Sequence, residues 1–396
     1  MKKILILTST FPFNNNHNIP DFVKTQINGL KEQYPELHFK ILCPNISEDI
    51  EKERTDSFEL ITFNYFWPKK YQNLTEIGIL PSVKKNFMNF FKVPFLIFFQ
   101  LIKTIKVCMN FKPDYIYVHW FTPQAVIAYF VSMLLKIPYG FTTHSQDVIV
   151  LTKIPILGKI LINKIVKKSH ANSAVSKATN LKLKSCVNKD NWIESKNMVL
   201  PMAIPDYVPK KNSKVNETFD ILFIGRLVEK KGVELLIRAF NQIDYLNITL
   251  TIAGEGPEAK YLKSISKNNI SFVGYVNGDE KDYLITNTDL VVIPSVISKD
   301  GDTEGLPVVV LESLVRKKLV LASHESNAGE IIKNGSNGFL FNPNSEEEFI
   351  KKIDEISKLD SNIRATIEKN AYEVGSNYQI SKLGAKYHDH FFKDLN

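Results

Sequence analysis

The sequence predicts an α/β chain built as two doubly wound parallel-sheet domains. Short apolar, β-branched runs alternate with segments of helical period along the whole chain, the pattern of parallel sheets covered on both faces. At 396 residues with 44% hydrophobic content, the chain supplies two cores rather than one. Residues 201–218, rich in Pro, Lys and Asn, interrupt the alternation near its middle and read as a linker.

In the first half the expected strands are Ile4 to Leu7, Phe39 to Leu42, Tyr115 to Val118, Gly140 to Thr142 and Met198 to Leu200. In the second they are Ile221 to Ile224, Ile248 to Ile252, Leu290 to Ile293 and Leu319 to Leu321. The domain spans that follow are 1–203 and 216–377. Ligands of open α/β sheets bind beyond the carboxyl ends of the strands, so an active cleft is expected where both sets of ends face it. Met1-Lys-Lys leads straight into Ile4 to Leu7 with polar residues close behind, which is short for a signal peptide and right for a first core strand. Cys43, Cys108 and Cys186 are odd in number and lack metal-ligand spacing, which fits a reducing cytoplasm.

The most informative stretch is Glu304-Gly-Leu-Pro-Val-Val-Val-Leu-Glu312. Proline lacks the N–H that a helix start leaves unpaired, so Pro307 is expected as the first helical residue, with Glu304 in the preceding loop and Glu312 inside the helix. The amides of Gly305 and Leu306 then lie at the positive helix end, which suits phosphate or sugar oxygens. The flanking carboxylates suit the hydroxyls of a ribose and a hexose. The same residues also fit an acidic helix start with a solvated Glu. A second segment, Phe219-Asp-Ile-Leu-Phe-Ile-Gly-Arg-Leu-Val-Glu-Lys-Lys-Gly232, runs from a buried strand through Gly225 into a basic loop. Arg226 and Lys231 would there stand past the strand's carboxyl end and neutralise a diphosphate, although charges on loops are usually only solvated.

Together, Gly-Arg-Leu-x-x-x-Lys-Gly and, about 70 residues later, Glu-x7-Glu resemble the glycosyltransferases of family 4, which have the two-domain GT-B architecture. The resemblance covers most of the chain. Thr143-His144 with Asp147 is similar to the family's Thr-His-x-x-Asp segment, Val118-His119-Trp120 to the strand end before it, and Val175-Ser176 to the close of its N-terminal domain. Ile252-Ala-Gly-Glu-Gly256, Phe272-Val-Gly274-Tyr275 and Ile293-Pro-Ser295 follow in the family's order. The chain departs from the pattern at 11–18, where the family often has a Gly-Gly loop, and at Pro201 to Pro205 and Ser326 to Glu330, so no role is carried onto the first two.

The resemblance implies an N-terminal acceptor-side domain, 1–203, completed by a helix crossing back at about 378–396, and a donor-binding domain, 216–377. It implies a retaining transferase that moves a sugar from a nucleoside diphosphate sugar to an acceptor hydroxyl. His144 and Glu304 are the expected catalytic residues, and Arg226, Lys231, Gly305, Leu306 and Glu312 the donor-binding ones. His119, Gly225 and Tyr275 are further candidates. A sugar-nucleotide epimerase of the same architecture, or a non-catalytic sugar-nucleotide-binding membrane module, is the alternative.

Two other motifs compete. Gly254-Glu-Gly256-Pro-Glu-Ala259, with Asp279 about 20 residues on, imitates a nicotinamide-dinucleotide fingerprint, but it lies mid-domain. Asp300-Gly-Asp302 imitates a metal-holding Asp-x-Asp. Arg226 and Lys231 already provide positive charge, so neither a metal nor another cofactor is expected.

Charge is unevenly divided. Residues 1–210 carry 27 Lys+Arg against 15 Asp+Glu, and the remainder 23 against 27. Residues 60–112 hold eight lysines, a single acid, Glu76, and many aromatics. Lysines interleaved with rings suit an anionic membrane face, with a nucleic-acid surface as the less favoured rival. The apolar run Val93 to Ile102 is too short to span a bilayer. It also fits an ordinary helix with Phe95, Leu96, Phe99, Ile102 and Ile105 as its core face. The expected acceptor is therefore a lipid-linked or cell-envelope glycan, and the expected location the cytoplasmic face of the membrane.

Overall fold

The computed structural model describes all residues except 13–18, 20, 47–53, 77, 145–146, 210–217, 243–246, 268, 300 and 396. The chain forms two compact units, one comprising Met1–Pro205 with Ile380–Asn396 and the other Asp206–Gln379.

The first unit holds a parallel sheet of seven strands: β1 (Lys2–Leu7), β2 (Leu37–Pro44), β3 (Phe58–Phe63), β4 (Tyr115–His119), β5 (Tyr139–Thr143), β6 (Ala171–Ala174) and β7 (Asn197–Val199). Their order is β3-β2-β1-β4-β5-β6-β7. Strand alternation sends Ile4 and Ile6 to one face with Phe39 and Tyr117, and Leu5 and Leu7 to the other with Val118 and Leu96. Both faces are thus buried, which is why the strands read as continuous apolar runs rather than alternating ones.

The helix Ile380–Phe391 returns to this unit and packs on the helix Phe22–Gln33. Gly29 makes the approach possible, because a Cβ there would lie 2.1 Å from Ile380 Cγ1. Tyr387 Oη donates to Pro201 O at 2.9 Å, and Gln33 Nε2 to Ile380 O at 2.9 Å.

The second unit holds six parallel strands: β8 (Phe219–Ile224), β9 (Ile248–Ala253), β10 (Ile270–Gly274), β11 (Leu290–Ile293), β12 (Leu319–Ser323) and β13 (Phe339–Phe341). The order β10-β9-β8-β11-β12-β13 reverses direction between β8 and β11. Ligand crevices of open sheets form at such a reversal.

The structure corrects three expectations. Pro307, with φ −64° and ψ 121°, is the residue before the helix, and the helix itself runs Val308–Val315. Strands β3, β6, β10 and β13 were not among those expected. In the helix Val93–Phe111 the buried stripe is Leu96, Gln100, Thr104, Val107, Cys108 and Phe111, whereas Phe95 and Phe99 face solvent.

Candidate active site

The turn after β8 and the loop after β11 converge at the reversal of the second sheet. Gly232, at φ +64°, closes the first turn beneath the second strand, where a Cβ would come 1.8 Å from Pro294 O. That turn carries Arg226, Lys230 and Lys231, and the loop carries Asp302 and Glu304. Lys231 Nζ lies 3.1 Å from Glu304 Oε2, and Lys230 Nζ lies 3.8 Å from Glu304 Oε1 and 3.1 Å from Asp302 Oδ2. Lys230 Nζ also donates to Thr303 O at 3.4 Å, and Asn327 Nδ2 donates to Glu304 O at 2.6 Å.

Burial opposes ionisation of Glu304, yet Lys231, Lys230 and Arg226 outweigh it and hold the carboxyl below the usual range. Burial lowers Arg226 from its ordinary value, with Glu304 opposing that shift. Three cations therefore face two carboxylates, Glu304 and Asp302, which leaves a local excess of positive charge that suits a further anion.

Past Glu304, the amides of Gly305 and Leu306 donate no hydrogen bond to a described residue just before the helix start. Glu312 lies one turn inside that helix, nearly buried, with Oε1 2.6 Å from Lys281 Nζ. Its Oε2 is buried without a hydrogen-bond partner among the described residues. An unsatisfied buried carboxylate oxygen is costly, and it can accept a ligand hydroxyl.

Gly225 stands between Phe223 and Lys231, where a Cβ would lie 3.2 Å from the Phe223 ring and 3.7 Å from Lys231 Cε. Tyr275 follows β10, two strands from β8. Gly254 and Gly256 have a packing reason to be glycine. Side chains there would meet Gly225 O at 1.8 Å and Leu227 O at 2.2 Å, so the turn after β9 lies directly on the turn after β8. A cavity of about 280 Å³ opens beside them, lined by Leu227, Glu255, Lys263 and Phe272 among others.

The first unit brings its two candidate histidines together. His119 ends β4 and His144 follows β5, with Nδ1 of the former 3.3 Å from Nε2 of the latter. Asp147 holds the local backbone, accepting from Phe121 N at 2.7 Å, from His144 N at 3.2 Å and from the Thr143 hydroxyl. Trp120 adopts φ +72°, unfavourable for a non-glycine residue, and its ring stacks on His144 with centroids 4.7 Å apart. Burial pushes His144 down to about 4 against the opposing Asp147 carboxylate. Burial, and then His144, hold His119 well below 6.5, and its Nε2 is buried without a partner among the described residues.

Sequence reasoning missed Lys230 and Lys281. Lys230 is the neighbour of an expected residue, and only the structure shows both lysines of the pair turned to one carboxylate. Nothing in the local sequence pairs Lys281 with Glu312, which are brought together by helix packing. Among the described residues no three His, Cys, Asp or Glu side chains cluster as a metal site. Asp300 lies outside the described residues, as do 13–18 of the departing loop and 210–217 of the linker, and Asp302 is engaged by Lys230.

Residues 206–374 match the family model described as Glycosyl transferases group 1. Over 85% of its length the chain is 26% identical to an uncharacterized glycosyltransferase of Methanocaldococcus jannaschii, covering 90% of that protein. It is also 26% identical, over 39% of its length and 40% of the relative, to the putative colanic acid biosynthesis glycosyltransferase WcaL of Escherichia coli. The crystal structure of Anabaena HepE in complex with UDP-glucose superposes with a TM-score of 0.70 at 17% identity, covering 98% of this chain and 99% of that one. At that identity the likeness is one of fold.

Proposed function

Because the chain is a glycosyltransferase of the GT-B fold, we propose that it transfers a sugar from a nucleoside diphosphate sugar to an acceptor hydroxyl with retention at the anomeric carbon. The observation that carries this reading is the grouping of Arg226, Lys230 and Lys231 around the nearly buried Glu304 carboxylate at the sheet reversal.

As the bond between the anomeric carbon and the diphosphate oxygen breaks, negative charge grows on the leaving group. Preorganised Arg226 and Lys231, with Lys230 behind them and the amides of Gly305 and Leu306, stabilise that charge more in the transition state than in the ground state. Glu304 positions the donor sugar through its hydroxyls, and the Oε2 of Glu312 accepts from the ribose. His144, neutral at pH 7, is the proposed acceptor-side residue of the first unit, and the His119 and Asp147 contacts fix its ring and backbone. The acceptor oxygen attacks on the face the diphosphate leaves, and a departing phosphate oxygen takes the acceptor's proton. These side chains supply the positive charge the leaving group needs, so no metal is required.

The acceptor in this reading is a lipid-linked or cell-envelope glycan presented at the cytoplasmic face of an anionic membrane. The WcaL relative and the basic first half of the chain support it. The test is incubation with UDP-, GDP- and ADP-sugars and a lipid-extract acceptor. Release of nucleoside diphosphate with an acceptor mass gain of one sugar supports transfer, and an epimerised donor with no acceptor gain overturns it.

A further inference from the structure

The segment Phe87–Lys92 forms a 3-10 helix that runs directly into the helix Val93–Phe111, and both carry exposed aromatic rings. Gln100 and Thr104 lie in the stripe that faces the core, while aromatic rings face outward. Phe87, Phe90, Phe91, Phe95, Phe98 and Phe99 are 40% to 69% exposed. At roughly 200 Å² per ring they present on the order of 600 Å² of apolar surface, the upper end for the largest patch on a monomer. The rings of Phe87, Phe90 and Phe91 contact one another at 5.8 to 6.1 Å, so they form one surface rather than scattered side chains.

The patch continues through Phe66, whose ring meets Phe95 edge-on at 5.7 Å, toward Trp67, which is 82% exposed. Lys92 ties these parts together. Its ammonium donates to Tyr71 O and Asn73 Oδ1, each at 3.0 Å, and lies 5.6 Å from the Phe66 ring centre, so it is a structural bond and not a headgroup contact. Lys70, Lys84, Lys85 and Lys106 are exposed, and Glu76 is the one acid between residues 60 and 112.

A wide apolar face flanked by lysines is complementary to an anionic lipid surface, where rings enter the headgroup boundary and ammonium groups remain in it. Two copies meeting through this face would bring the same lysines together, which disfavours self-association. Among the described residues no helix is long and apolar enough to cross a membrane. We propose that Phe87–Phe91 and the outward stripe of Val93–Phe111 form a wedge that inserts phenylalanine rings into an anionic bilayer. The wedge deepens the reading of a membrane-presented acceptor, although its test does not depend on transfer.

The test is co-sedimentation with phosphatidylcholine vesicles with and without phosphatidylglycerol, using the wild type, a Phe87→Ser/Phe91→Ser/Phe98→Ser variant and a Lys84→Gln/Lys85→Gln variant. The wild type should sediment with the anionic vesicles, and salt should weaken that binding without abolishing it. The serine variant should lose binding by about tenfold or more, and the glutamine variant should lose the salt-sensitive part. Thermal midpoint and release of nucleoside diphosphate from donor should stay at wild-type values in both. No sedimentation with either vesicle overturns the wedge, as does binding indifferent to the serine changes. So does a phenylalanine-dependent dimer, or binding to single-stranded nucleic acid, in place of vesicle binding. Vesicle binding with no turnover on any donor would leave the wedge standing and remove the transfer reading.

Discussion

Lys231 Nζ stands 3.1 Å from Glu304 Oε2, joining the turn after β8 to the loop after β11 across the point where the sheet reverses. The carboxylate thus sits among the cations that are proposed to receive the donor's diphosphate. With Lys230 and Arg226 also raising the positive potential there, removing one cation leaves Glu304 compensated, so the clamp can be dissected without unfolding it.

Arg226→Ala and Lys231→Ala should each weaken nucleoside diphosphate binding about tenfold or more, since a charged hydrogen bond contributes about 1.5 to 3 kcal/mol. Isothermal titration with UDP, GDP and ADP measures this directly. Unchanged affinity in both variants would remove the clamp from the account.

The two carboxylates should separate. Glu304→Gln should leave binding of the bare nucleoside diphosphate nearly intact while lowering turnover, whereas Glu312→Ala should weaken binding of both donor and diphosphate. Parallel losses for the two variants on both ligands would merge their roles.

The fold was legible because buried parallel strands are written as apolar runs, and nine of the expected strands coincide with β1, β2, β4, β5, β7, β8, β9, β11 and β12. Strand β6, Ala171-Asn-Ser-Ala174, was not, since its small and polar residues are buried only by their neighbours in the sheet. The Arg226, Lys231 and Glu304 grouping was implied by the resemblance that their two motifs carry, whereas Lys230 and Lys281 depend on tertiary packing. The outward stripe of Val93–Phe111 could not be read from periodicity, because rings recur on the face opposite the core as well as apolar residues on the core face.

Donor turnover should persist in excess EDTA, because Arg226, Lys230 and Lys231 provide the charge that would otherwise come from a divalent ion. Loss of turnover that Mg²⁺ or Mn²⁺ restores would point instead to metal-assisted departure of the diphosphate.

The histidine pair sets a pH dependence. His144 is held at about 4 and His119 well below 6.5, so both are neutral in the folded protein at pH 7. In the unfolded chain each takes up a proton near pH 6.5, so their contribution to stability is complete above that value. It falls as pH drops from about 6.5 toward 4. The thermal midpoint should therefore decline across this window, and less steeply in His144→Gln. Equal slopes in the two proteins would show that His144 is not held neutral.

The most direct measurement is nucleoside diphosphate release coupled to acceptor mass, run across the UDP-, GDP- and ADP-sugar panel with wild type and Lys231→Ala. The account predicts that one donor class yields diphosphate and a one-sugar gain on the lipid-extract acceptor, with both falling together in the variant. Sugar transfer that proceeds at the wild-type rate without Lys231 would contradict it.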